Sequence, residues 1–396
     1  MERMVMSSST YRRNASGAVI LIGILLVASN LRAPFTGLPP LLGTIQADFG
    51  LSTLATGALT TLPLLAFALL SPFSALLARK YGLERTLFAA VAAIALGIAL
   101  RSAPAVWCLY VGTGIIGMGI AVGNVLLPSL VKRDFPRHVA SLTGAYALAM
   151  GVAAALGSVA VIPLAQVWGW QSALLAFLIL PAAAMAVWMT QLSDHSQPAA
   201  KTSTPPHDGK VWHSTLAWQV TLFLGLNSTI YYIVVGWLPS ILTDAGMSPA
   251  QAGSMHGVLQ LATAVPGLLL GPILRRMRDQ RLAAAAVCLF SAIALLGLCI
   301  APKFALVWSI LFGIGTGAGI ILGLSFIGLR TGNAHQAAAL SGMSQCIGYL
   351  LAAAGPMAIG ALHDALGGWT ISLVLCMGLA LVAALVGVLA GRNRSL

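Results

Sequence analysis

The chain has 396 residues, 59% of them hydrophobic and 8% charged, with a mean hydropathy of +0.93. Soluble domains carry about 25% charged residues, so this composition excludes a water-soluble globular protein and places the chain in a bilayer. The net charge of +12 does not indicate a nucleic-acid partner. Eighteen of the 21 Lys and Arg fall in alternate connections and at the two termini, the pattern of the positive-inside rule, which predicts cytoplasmic termini.

A helix needs about 20 apolar residues to cross the hydrocarbon core. The first such stretch, 17–41, follows Arg12 and Arg13 as a signal peptide would. Asn30-Leu31-Arg32 ends it in place of a small-residue cleavage site, so it reads as a retained span. Arg32 lies inside it, where a charge costs about 2.5–3.5 kcal/mol on insertion scales. It must therefore face a cavity or a partner within the protein. Its planar donor fork suits a carboxylate-like or nitro group, and Asn30 is a neutral hydrogen-bonding group beside it. Pro34, Gly37, Pro39 and Pro40 predict a break here, with freed backbone groups available to a site. Asp48 follows at the span end, as Asp244 does at that of the seventh span, and capping the next turn is the expected role of both.

Spans 52–78, 86–101, 105–131, 138–166 and 170–191 complete a first group of six. Basic connections follow the second (Arg79, Lys80, with Glu84 and Arg85) and the fourth (Lys132, Arg133, Arg137). The fourth span is glycine-rich over Gly112–Gly123 and then carries Asn124, a neutral hydrogen-bonding candidate for the cavity, and Tyr146 lies in the fifth. Residues 193–213 are the longest polar segment between spans and read as a cytoplasmic linker. The expected organisation is a tail at 1–16, a six-helix half at 17–192, the linker, a second half at 214–391 and a tail at 392–396.

Spans 215–241, 249–274, 282–300, 304–329, 336–362 and 369–390 form the second group. The seventh carries Asn227, Tyr231, Tyr232 and Trp237, with Asp244 at its end. The eighth carries His256 and, one turn on, Gln260; the eleventh carries Gln345 and Tyr349, and Asn227, Gln260 and Gln345 are further hydrogen-bonding candidates for the cavity. Tyrosine and tryptophan offer flat faces with polar tips, suited to stacking a heteroaromatic ring. His256 reads either as a hydrogen-bonded structural histidine or as a proton relay. No acidic residue falls at the middle of a span, so a carboxylate that trades its proton for substrate is missing from the expected machinery. The five cysteines have no metal-type spacing and read as packing residues.

The two groups match at an offset of about 198 residues. Gly117 and Gly119 align with Gly315 and Gly317, Lys132 with Arg330, and Leu142, Gly144 and Gly157 with Leu340, Gly342 and Gly355. Gly169-Trp170 aligns with Gly368-Trp369 after one inserted residue, and Asn30 aligns with Asn227. Two parallel six-span repeats are the build of major facilitator transporters, an all-α fold of twelve transmembrane helices in two pseudo-symmetric halves with substrate between them.

Several strings sharpen this. They are Leu31-Arg32, Leu62-Pro63-Leu64, Gly123-Asn124-Val125-Leu126-Leu127-Pro128 with Lys132-Arg133-Asp134-Phe135-Pro136, Gly236-Trp237-Leu238-Pro239 and Gly348-Tyr349-Leu350-Leu351-Ala352-Ala353. Together they resemble the cyanate/2-nitroimidazole transporter family of the major facilitator superfamily, and Leu216–Gly225 is most similar to its nitroimidazole-exporting branch. The resemblance implies a monomeric, multi-pass carrier of the bacterial inner membrane, without a cofactor, exporting small anionic or dipolar nitrogen heterocycles. A proton is the candidate coupling ion, and cyanate or another small anion is the alternative substrate. The loops Arg79-Lys80…Glu84 and Arg275…Asp279 resemble the facilitator gating signature. They depart from it by placing arginine at Arg79 and Arg275, where that signature has an acidic residue. No motif of a hydrolase or metalloenzyme is found.

Overall fold

The computed structural model describes residues 17–190, 210–277, 279–332 and 334–396. Among them, eleven helical stretches are long and apolar enough to cross a membrane. One of these, Ser141–Met189, is 49 residues long and turns back at Gly169. That makes twelve spans, at the positions the hydropathy predicts. They are α1 (Gly17–Phe49, interrupted), α2 (Thr53–Tyr81), α3 (Leu83–Arg101), α4 (Val106–Asp134), α5 (139–168) and α6 (170–189), then α7 (Thr215–Asp244), α8 (Pro249–Arg276), α9 (Arg281–Ile300), α10 (Ala305–Leu329), α11 (Ala334–Leu366) and α12 (Thr370–Ala390). The predicted 1–16 tail and most of the 193–213 linker lie outside the described residues.

The repeat is visible in the packing. In the first half α4 packs on α2 and α3, and α3 on α6; in the second, α10 packs on α8 and α9, and α9 on α12. The α5–α6 turn needs the left-handed φ of Gly169 (80°), and the α11–α12 turn that of Gly367 (70°). The tryptophan after each turn performs the same task. Trp170 Nε1 donates to Asp48 at 2.5 Å and Trp369 Nε1 to Asp244 at 2.7 Å. Asp48 and Asp244 therefore tie the ends of α1 and α7 to the starts of α6 and α12, where capping of a following turn was expected.

Glycine permits the close approaches. A Cβ on Gly97 would lie 2.7 Å from the Gly112 carbonyl oxygen and 2.8 Å from the Ile116 nitrogen, both backbone atoms of α4. Such overpacking costs about 1–3 kcal/mol. Gly97→Ala is expected to lower thermal stability in detergent measurably, whereas Gly114→Ala, where a Cβ meets nothing within 4 Å, is expected to leave it unchanged.

The halves meet mainly through α2 against α11 and α5 against α8. Hydrogen bonds between the halves join the α2 start to the α11 end and the α5 end to the α8 start. Asp364 of α11 accepts the free Thr53 and Leu54 N–H groups that open α2, at 3.2 and 2.9 Å. Thr61 donates to the Ala353 carbonyl at 2.8 Å. Gly253 and Gly257 of α8 lie against the Ser158 and Ala155 carbonyls of α5. Asp364→Asn removes the charge on the α2 terminus, an interaction of about 0.3–1 kcal/mol. It is expected to speed labelling of a cysteine placed at Thr60, in a cysteine-free background, by about 2–5-fold when reagent is added on the Asp364 side.

The opposite end carries the basic loops. There Arg133 pairs with Glu84 (2.7 Å) and Asp134 (2.6 Å), and Trp188 Nε1 donates to the Glu84 carbonyl. Arg330 donates to the Ala390 and Gly391 carbonyls at the α12 end and to Gln280. Both clusters bind elements of their own half. Of the predicted gating residues, Arg79 and Lys80 are exposed and Glu84 serves α3–α4 packing. Asp279 lies 3.6 Å from Arg281, and the Arg275 side chain lies outside the described residues.

Candidate functional site

Span α1 is broken by its own sequence. Helix runs over 17–30, then a four-residue stub Ala33–Thr36, a 3₁₀ turn Pro39–Leu41 and a last helix Leu42–Phe49. Pro34, Pro39 and Pro40 bring no N–H to the carbonyls of Asn30, Phe35 and Thr36. The Leu38 N–H turns back to Phe35, so the Pro34 carbonyl is released as well. The freed groups were expected to join the site. Two instead take donors from neighbouring helices: Arg101 Nη1 to the Pro34 carbonyl (2.8 Å), and Ser158 Oγ, whose single O–H is shared with the Ala154 carbonyl (2.9 Å), to that of Thr36 (3.1 Å).

Arg32 sits at the break and projects toward the second half. Its Nη1 donates to Tyr231 OH at 2.8 Å, and its guanidinium carbon is 5.5 Å from the Tyr231 ring centroid. No carboxylate among the described residues comes within salt-bridge distance of it. The charge opens onto a cavity of two adjoining lobes, of about 360 and 580 Å³, which share Arg32, Tyr146, Ile320 and Leu324. The lining residues lie toward the ends of α4 and α10 and the starts of α5, α7 and α11, so the cavity opens toward the basic loops.

The smaller lobe has an aromatic wall. Tyr232 meets Phe35 edge-on at 5.8 Å and Tyr349 at 6.5 Å, and Tyr349 meets Phe67 edge-on at 5.4 Å. Asn124, Ser228, Ser344 and Gln345 add neutral hydrogen-bonding groups. The larger lobe brings Tyr231, Gln260, Thr143, Thr263 and Ser325 around the same arginine. One cation, flat apolar faces and a few amide and hydroxyl groups suit a small planar anion or strong dipole.

Eight of the eleven predicted binding residues therefore line this cavity: Arg32, Asn124, Tyr146, Tyr231, Tyr232, Gln260, Gln345 and Tyr349. Three lie elsewhere. Asn30 is buried and donates to the Leu26 carbonyl of its own helix, and Asn227 donates to the Thr316 carbonyl of α10. Trp237 is buried between α7 and α11, donating to the Pro356 carbonyl. Phe35, Phe67, Ser228 and Ser344 were not singled out. Phe35 carries a signal in hindsight, one turn after Arg32 in the broken segment; the other three have none.

His256 does not line the cavity. It is fully buried, with Nδ1 2.9 Å from Ser158 Oγ and Nε2 3.3 Å from the Gln260 amide nitrogen. Gln260 in turn accepts from Tyr231 OH at 2.9 Å. The amide can donate to Nε2 only if that nitrogen is unprotonated, which leaves Nδ1–H as the donor to Ser158. A directed chain thus runs Arg32, Tyr231, Gln260, His256, Ser158 and ends on the Thr36 and Ala154 carbonyls, which share the Ser158 hydroxyl. It crosses between the halves at Arg32–Tyr231 and again at His256–Ser158.

The family model described as Major Facilitator Superfamily matches residues 20–353. The 2-nitroimidazole transporter of Escherichia coli is 53% identical over 392 residues, covering 99% of this chain and all of that one. The cyanate transport protein of the same organism is 25% identical over 92% of this chain and 96% of its own. Among solved structures, a bacterial homologue of the human lysosomal transporter Spinster, in an inward-facing and occupied conformation, superposes with a TM-score of 0.75 at 16% identity. That match covers 95% of this chain and 97% of the other.

Proposed function

The chain belongs to the major facilitator superfamily, and on that premise we propose that it exports 2-nitroimidazole-like heterocycles across the bacterial inner membrane by alternating access. The observation that carries this reading is Arg32, a cation in the central cavity without a protein counter-ion among the described residues, beside an aromatic wall. An imidazole whose ring N–H has been lost supplies the missing negative charge, and its flat ring suits the Tyr232–Tyr349 face. Loss of that proton also links transport to protons without a carboxylate in the middle of a span.

The segregation of Lys and Arg supports cytoplasmic termini and a cavity that opens to the cytoplasm. The state described here is then inward-facing, ready to load from within, with Asp364 on the closed outer side. The membrane potential, inside negative, favours release of an anion outward by about 2.3 kcal/mol per 100 mV.

Cyanate is the second reading, favoured by the same arginine and by the cyanate-transporting relative. A triatomic anion would leave most of the aromatic wall without contact. Competition separates the two. Unlabelled 2-nitroimidazole is expected to block uptake of its labelled form into inside-out vesicles saturably, and cyanate at equal concentration to leave it nearly unchanged. Saturable transport of cyanate with none of 2-nitroimidazole would overturn the assignment.

A further inference from the structure

Arg101, the last residue of α3, is another buried arginine among the described residues, and it does not line the cavity. It is 1% exposed, so it cannot serve as a surface charge of the α3 end. One nitrogen, Nη1, reaches the Pro34 carbonyl at 2.8 Å; Nε and Nη2 are buried without a partner. Burying a guanidinium with two idle nitrogens disfavours the folded state unless the single bond it makes matters. That bond goes to a carbonyl released by the break in α1, two residues after Arg32.

We propose that Arg101 is a positioning residue for Arg32, bracing the broken segment of α1 so that the guanidinium of Arg32 is held at the cavity. The stub Ala33–Thr36 is too short to fix its own direction, and only side chains from neighbouring helices fill its released carbonyls. It is gripped from two sides, by Arg101 of α3 and by Ser158 of α5. The grips differ. Ser158 also touches His256 of the second half, so its geometry is tied to the contact between the halves. Arg101 acts wholly within the first half and holds the stub whatever the halves do. Gly97 and Gly112 bring α3 and α4 close enough to put Arg101 there, since a Cβ on Gly112 would collide with the Arg101 backbone nitrogen.

The inference rests on the reading that Arg32 binds the substrate, and its test separates the two. Binding of 2-nitroimidazole and of 1-methyl-2-nitroimidazole, which cannot form the anion, is measured on the full chain in nanodiscs for wild type and Arg101→Gln. Hydrogen exchange is followed across residues 33–41 in both. The variant is expected to bind 2-nitroimidazole about 10-fold more weakly and the methylated compound within about 2-fold of wild type. Exchange in 33–41 is expected to rise. Equal loss for both ligands, or unchanged exchange in 33–41, would overturn the proposal. If Arg101→Gln does not fold, Arg101→Lys, which keeps a donor for the Pro34 carbonyl, is read in the same way with a smaller effect. Should wild type bind neither compound, the transport assignment fails, and the exchange experiment still decides whether Arg101 braces the segment.

Discussion

Arg32→Ala is expected to lower the apparent affinity for 2-nitroimidazole by about 30–5000-fold, the range for removing one partner of a buried charged contact at about 2–5 kcal/mol. The guanidinium is the one positive group facing the cavity among the described lining residues, and no protein carboxylate there stands to be left unpaired by its loss. The loss therefore falls on the substrate. The Tyr231 hydroxyl would lose its donor but keep Gln260 as acceptor, so the fold around it should survive. Arg32→Lys is expected to fall between wild type and alanine. Lysine keeps the charge and loses the planar fork. Concentration-dependent uptake into vesicles, normalised to the amount of protein inserted, is the check.

The second large effect is on the substrate side. Methylation of the ring nitrogen removes the hydrogen whose loss makes the anion, while ring, nitro group and dipole remain. If the site recognises charge, 1-methyl-2-nitroimidazole should be transported at least about 30-fold less efficiently, consistent with loss of a charge-assisted pair of about 2 kcal/mol or more. Should the two compounds be handled alike, the nitro dipole and the aromatic wall would be the recognised features, and Arg32 would serve the contact between halves through Tyr231. Raising the pH on the loading side should favour transport of the ionisable compound and leave that of the methylated one unchanged.

Much of this was legible because a bilayer imposes simple rules. The twelve spans follow from hydropathy, and the repeat from glycines and tryptophans at a nearly constant offset. Arg32 followed from the cost of an intramembrane charge. The facing of neutral residues did not. Asn30 and Asn227 have the chemistry of site residues but bond to helix carbonyls, Asn30 to that of Leu26 one turn back in its own helix and Asn227 to that of Thr316 where α10 passes closely. Gly319 against Asn227 is one such approach. Helix α7 is buried on nearly all sides, so periodicity could not separate Tyr231 and Tyr232 at the cavity from Trp237 against Pro356. Nothing in the chain announces that Arg101 meets a released carbonyl 67 residues earlier. Asp48 and Asp244 looked like local caps for a similar reason, their indole partners being more than 120 residues away.

The most direct test of the central claim is uptake of labelled 2-nitroimidazole by inside-out vesicles, with and without an imposed proton gradient, for wild type and Arg32→Ala. The expected result is saturable uptake by wild type that the substitution abolishes at low substrate concentration. Its response to the gradient would show whether the proton travels with the substrate. Uptake by Arg32→Ala equal to that of wild type would contradict an arginine-centred site.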